Sequence, residues 1–274
     1  MRASAWDLAS KAAHAAGVEL RPLTTSEQFD DAIGVMTATW GPYQLLPREV
    51  FTALAHSGNV PWGAYDEDRL AGFVLGWAGV DDVGLHVHSH MLAALPDRRH
   101  RGVGYALKLA QRAQALDQGI PIARWTFDPL VARNAWLNLG KLGAVADRFG
   151  RAFYGEMADD LNRGDRTDRL VVRWDLGRSP GRRPIDDAAL ETILRAEGDR
   201  DAPEPRLAGG NVPLGGAFLE VPRDLAPLRE RDPALATRWR DAVAEGLDAC
   251  FANGLIAVGF DRERSAYVLG PDPG

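Results

Sequence analysis

The stretch "ALPDRRHRGVGYALK", Ala94 to Lys108, sets a run of cations and two glycines between a long apolar segment and a helix-forming run. Upstream, "VGLHVHSHMLAAL" (83–95) has the length and apolar content of a central strand. Downstream, Val103, Ala106, Leu107, Ala110 and Ala113 recur at helical spacing. A strand that turns through Arg-x-x-Gly-x-Gly into a helix leaves the first helical amides without intrahelical partners, at the positive end of the helix dipole. Glycine lets a ligand approach that backbone closely. Arg99 and Arg101 can pair with phosphate oxygens. The expected ligand is therefore a phosphate-bearing anion. Two commoner phosphate patterns fail here. The P-loop needs Lys-Ser or Lys-Thr after its last glycine, and none follows Gly104. The dinucleotide fingerprint G-x-G-x-x-G has Leu107 where its third glycine belongs.

The rest of the chain sets limits on the setting. A net charge of −6 over 274 residues speaks against nucleic-acid binding, which draws on clustered Lys and Arg. No apolar run approaches the roughly 18 residues of a membrane span, so no membrane partner is expected. "MRASAWDLASKAAHAAG" reads as a short amphipathic helix rather than a leader. Cys250 is the only cysteine, which excludes an internal disulfide and a cysteine-based zinc site and fits a reducing, cytoplasmic location. Periodicity gives a strand at 18–23, a helix in "TTSEQFDDAIGVMTATWG" (24–41) capped by Thr24 or Thr25, a second short helix at 47–58, and a hairpin of "PWGAYD" and "RLAGFVLGWAGV". After the glycine turn come a strand "IARWTF" (122–127), a helix "ARNAWLNLGKL", and a final strand pair of "AFYGEM" and "RLVVRWDL". "GRSPGRRP" (177–184) has the composition of a linker. The expected organisation is a first domain over 1–176, the linker 177–184, and a smaller α/β domain over 185–274. In that last part a helix is expected near 186–197, a loose stretch over 203–216, a strand "AFLEVP", a long helix over 233–252, and strands "LIAVGF" and "AYVLG". The long helix should bury Trp239, Val243, Leu247 and Cys250 or Phe251 and turn Arg238, Arg240, Asp241 and Glu245 elsewhere.

Arg99, Gly102 and Gly104, after a strand and opening a helix, resemble the cofactor turn of the GNAT superfamily of acyl-CoA-dependent N-acyltransferases. "LRPLT", "LAGFVLGW" and "KLGA" resemble its other signposts, so the likeness covers about residues 18–176. It implies an α/β (α+β) fold with a mixed, mostly antiparallel central sheet and flanking helices. It implies acetyl-CoA or another acyl-CoA as co-substrate. The pyrophosphate would rest on Arg99, Arg101, Gly102, Val103, Gly104 and Tyr105, and the pantetheine arm on the backbone of Leu92 and Ala94. Asn134 would meet the cofactor, although it stands two positions from the family's usual asparagine. The acceptor would be a small-molecule or peptide amine. Residues 177–274 lie outside the likeness: the order strand, helix, strand, strand recurs there either as a degenerate second copy or by coincidence, and the unit is expected to cover the acceptor mouth, extend the sheet or build a homodimer contact.

Counting back from Arg99 brings three histidines into view. His86, His88 and His90 lie at period two and so share one face of the strand, with Leu85, Val87, Ser89 and Met91 on the other. His88 falls where histone acetyltransferases of this superfamily carry a glutamate base. His88 and His90 together match the two histidines of arylalkylamine N-acetyltransferase. A near-neutral imidazole suits removal of a proton from an ammonium. Zinc is not expected, because no carboxylate or cysteine completes a neutralised site. The family's tyrosine acid is missing, since Leu139 occupies its position. Tyr154 in "FYGEM" is the candidate substitute. Asp128, at the carboxyl end of the 122–127 strand, either holds an amine or caps the turn at Pro129. Trp125, Phe127 and Trp136 either line a pocket or fill the core. Two functions follow: an N-acyltransferase with His88 as base and His90 as relay, or a coenzyme A-binding sensor whose second domain contacts a partner.

Overall fold

In the computed structural model, strands and helices alternate along the chain and divide it into two compact units. The description covers residues 2–43, 45–82, 84–99, 101–157, 164–184, 190–209, 212–213 and 215–274. The first unit comprises 1–125, 158–163 and 175–179, and the second 126–157, 164–174 and 180–274.

The first unit opens with helix α1 (Arg2–Ala15), strand β1 (Glu19–Pro22) and helices α2 (Ser26–Trp40) and α3 (Arg48–His56). Thr25 caps α2 through a capping box with Gln28. Strands β2 (Trp62–Asp66), β3 (Arg69–Asp81) and β4 (Gly84–Ala94) follow, then α4 (Val103–Asp117) and β5 (Ile122–Phe127), of which the last two residues belong to the second unit. The strands lie in the order β1-β2-β3-β4-β5, antiparallel except for β4 with β5, which run parallel. Helices α2 and α3 cover one face, where Phe29, Met36, Phe51, Phe73 and Leu75 pack together. Helices α1 and α4 cover the other, around Ala13, Val74, Val103, Ala106 and Leu107. Helix α4 buries Val103, Ala106, Leu107, Ala110 and Ala113, the stripe that its periodicity announced.

The second unit begins with a short α5 (Ala132–Ala135) that widens into a π-helical segment, Trp136–Lys141. The Trp136 ring lies across Gly140, where a Cβ would sit 2.2 Å from it, so this turn needs glycine. Strands β6 (Val145–Gly150) and β7 (Arg169–Asp175) form the hairpin expected after it, with one correction. "AFYGEM" is not the first of those strands. β6 stops at Gly150, Ala152 has φ 47°, and Phe153 and Tyr154 lie in a turn.

Beyond residue 190 the helix expected near 186–197 is instead strand β8 (Glu191–Asp199); residues 185–189 fall outside the described part. Its pairing with β9 (Ala202–Leu207) over six residue pairs outweighs the helical propensity of "ETILRAEG". β9 lies within the stretch expected to be loose, and its two prolines, Pro203 and Pro205, suit a sheet edge. Strand β10 (Ala217–Glu220), helices α6 (Leu225–Arg231) and α7 (Pro233–Ala252) and strands β11 (Ile256–Asp261) and β12 (Ala266–Gly270) complete the chain. The hairpins β6–β7 and β11–β12 each follow a helix, and β6 and β11 meet antiparallel at Ala146↔Ala257. Among the described residues no helix is long and apolar enough to cross a membrane.

Candidate active site

Strand β4 carries the candidate histidines, and its pairing changes along its length. With β3 it runs antiparallel from Asp81↔Gly84 to Gly72↔Ala94, with a bulge where Gly76 pairs Ser89 and Leu75 pairs Met91, so His90 is the extra residue. A bulge re-aims the side chains beyond it. Ser89 bonds to α4, whereas Met91 and Ala93 pack in the core under α2 and α3, and Leu92 and Ala94 pack on the α4 side. The simple alternation therefore fails at Met91, which shares the face of His90 rather than that of Ser89. With β5, by contrast, β4 pairs only at Val87↔Ala123 and His88↔Arg124. Among the described residues of this unit, its β5-side edge from Ser89 to Ala94 has no ladder partner.

His88 and His90 stand where the ladder ends. Their ring centroids are 5.8 Å apart, and Trp77 of β3 lies 5.2 Å from His88 and 4.9 Å from His90. Burial first, and then electrostatic repulsion from His90, His86 and Lys108, lowers the His88 pKa to about 4, and burial lowers that of His90. Both imidazoles are therefore neutral at physiological pH and able to accept a proton. His86 does not join them. It is buried, its Nδ1 is 3.0 Å from the Gly84 carbonyl oxygen, and Asp81 lies 3.6 Å away. Among the described residues no three His, Cys, Asp or Glu side chains converge to hold a metal ion.

The glycine turn stands at the other end of β4. Gly102 has φ 93° and precedes α4, a conformation that favours glycine, and Val103 is buried as the first helical residue. Two of the local charges are already spent. Arg98 pairs with Asp66, and Asp97 takes a two-pronged bond from Arg69 at 2.9 and 3.3 Å. Those pairs fasten the turn to the β2–β3 hairpin. Arg101 is exposed, and the Arg99 Nε donates to the Ala94 carbonyl at 3.4 Å. Tyr105 is partly buried, which raises its phenol pKa. His100 lies outside the described residues.

Asn134 and Tyr154 belong to the second unit. The Asn134 amide donates to the Val131 carbonyl in the first turn of α5. Tyr154 is half-exposed, its Oη is 2.9 Å from Thr126 Oγ1, and its ring meets Phe153 edge-on. It sits on a turn and not on the strand expected. Leu139, at the position of the absent tyrosine, is fully buried. Trp125 and Phe127 are buried as well.

Asp128 does not wait for an amine. Its Oδ1 accepts from the Leu130 amide at 2.9 Å, which caps the turn, and both its oxygens accept from Arg240, at 2.6 and 2.9 Å. Arg240 was expected among the residues that α7 turns away from its core. It is instead 3% exposed, because Asp165 also receives it, with Nε 3.1 Å from Oδ1. Burial works against the guanidinium charge, but the two carboxylates more than offset it and hold its pKa above the ordinary value. Periodicity alone does not reveal such a clamp, since its partners lie 112 and 75 residues away.

Residues 26–136 match the family described as Acetyltransferase (GNAT) family. No curated protein matches the chain. Among solved structures, the ribosomal-protein-S18-alanine N-acetyltransferase of Escherichia coli matches at 14% identity and TM-score 0.47, covering 63% of this chain and 99% of that one. NAA60 of Arabidopsis thaliana, in complex with a bisubstrate analogue, matches at 16% and 0.47, covering 58% and 98%. The NatC complex bound to Gag peptide and CoA matches at 16% and 0.46, covering 58% and 98%. Likenesses this distant say nothing about the acceptor.

Proposed function

We propose, from the match of residues 26–136 to the GNAT acetyltransferase family, that the protein transfers an acetyl group from acetyl-CoA to a primary amine by direct attack, with His88 as general base. One observation carries this reading. The two neutral histidines stand where the β4–β5 ladder ends, and the glycine turn lies at the far end of the same strand.

The open edge of β4 suits the co-substrate. Backbone groups of Leu92 and Ala94 on that edge can bond the amides of a pantetheine arm as they would a neighbouring strand. The amides of Val103, Gly104 and Tyr105, with Arg99 and Arg101, fit a pyrophosphate. His88 accepts a proton from the ammonium, directly or through water, and His90 passes it towards solvent. The freed amine attacks the thioester carbonyl carbon, the C–S bond breaks, and the leaving thiolate takes up a proton from solvent. A thiolate is a weak base and needs no dedicated acid, which fits a buried Leu139. Tyr154 is the candidate should an acid be used. Asn134 is a further candidate for cofactor contact.

A second reading is a coenzyme A-binding sensor, favoured by the apolar residue at 139. The two separate in one experiment. His88→Ala should lower kcat/KM for the amine by about a hundredfold or more while acetyl-CoA still binds. His88→Ala with unchanged turnover would remove His88 from the role.

A further inference from the structure

Of the 32 lysines and arginines in the chain only three are lysine: Lys11, Lys108 and Lys141. Lys11 and Lys141 are exposed, whereas Lys108, in the second turn of α4, is 2% exposed. Its Nζ donates to Ser89 Oγ at 2.7 Å and to Gln111 Oε1 at 3.4 Å, and lies 3.5 Å from the centre of the Trp125 ring. Ser89 is on β4 and Trp125 on β5, each one residue past the last pair of their ladder, His88↔Arg124. One side chain therefore touches both strands at the first step beyond their pairing. Ser89 also directly precedes His90, the extra residue of the bulge.

Packing alone does not account for a lysine here. Among the described residues no carboxylate pairs with it, and an apolar side chain would fill the space without the cost of burying a charge. The chain uses arginine nearly everywhere else, but a guanidinium keeps its proton, whereas a buried lysine can lose one. Burial pushes the Lys108 pKa well below its ordinary value.

We infer that Lys108 is a positioning residue of the acyl-transfer site: from the α4 side it pins Ser89, and with it the bulge at His90, across the gap where the acyl group would lie. The inference rests on the acyltransferase reading above. The groups that face the amine are Ser89 from β4, Gln111 from its own helix and Trp125 from β5. His88 feels its charge. Arg112, the next buried cation of α4, is turned to the carbonyls of Leu176 and Arg178.

Two variants and one spectrum test it. Lys108→Met should fold, keep its KM for acetyl-CoA, and lose about tenfold in kcat, the scale of a lost hydrogen bond to a charged group. Its acid limb in kcat/KM should move to higher pH, because a positive neighbour of His88 is gone. Ser89→Ala should act in the same direction, and the double variant should be no worse than Lys108→Met alone. Should Lys108→Met fail to fold, Ser89→Ala still decides through kcat. Wild-type kcat and pH limb in a folded variant would overturn the inference. With only three lysines, carbon-13 labelling at Cε gives a readable spectrum without any acceptor. One signal, absent in Lys108→Met, should titrate well below the ordinary lysine range and move when coenzyme A binds. A Lys108 signal that titrates as an ordinary lysine, or that is indifferent to coenzyme A, would also overturn it. If no amine is acetylated yet that signal still responds, the acyltransferase reading fails and the placement of Lys108 stands.

Discussion

Lys108 and Arg240 are buried cations of nearly equal exposure, 2% and 3%, and they solve the problem of a buried charge in opposite ways. Arg240 is met by Asp128 and Asp165, and its pKa is held up. Lys108 is met by a hydroxyl, an amide and a ring, and its pKa falls. A guanidinium between two carboxylates is a fixed strut. An amine without a counter-charge is held by neutral partners alone, and its cost is accepted where the chemistry is proposed to occur. The same distinction separates Asp128 from His88. The carboxylate is spent on structure, and the imidazole keeps its lone pair.

The largest effect should come from breaking the strut. Arg240→Ala strands Asp128 and Asp165 and should cost about 3–5 kcal/mol of stability, read as a lower urea midpoint. A loss under about 1 kcal/mol would mean that water replaces the guanidinium without penalty. Next in size is a pH effect from the other side of the contrast. The unfolded His88 takes its proton near 6.5 and the folded one near 4, so between these values the unfolded chain binds more protons. Stability should therefore fall as pH falls through that window, and His88→Ala should flatten the fall. Equal slopes in the two proteins would remove His88 as its source. The smallest effect belongs to Lys108→Met, whose urea stability should stay within about 1 kcal/mol of wild type, since an apolar residue replaces an uncompensated charge. A loss matching that of Arg240→Ala would erase the distinction between the two cations.

Local patterns in the sequence reached the parts of this structure that local physics decides. The capped α2, the stripe on α4 and the αL glycine at 102 are each written within a few residues. The glycine turn and the shared face of His88 and His90 were legible as patterns for the same reason. The bulge at His90 was not, because period-two counting assumes an unbroken ladder, and so Met91 was assigned to the wrong face. β8 escaped because its partner strand, β9, hides its alternation behind prolines. Arg240 and Lys108 escaped because their partners come from distant segments. The surplus of arginine was the one signal that could have drawn attention to Lys108, one of three lysines in the chain.

The central claim is tested most directly by free thiol release from acetyl-CoA in the presence of primary amines: arylalkylamines, amino acids, peptide N-termini and lysine peptides. The account predicts release that depends on one of these amines, saturates with it, and is nearly abolished in His88→Ala. Tight binding of coenzyme A with no amine-dependent release across that set would contradict it and leave the sensor reading in its place.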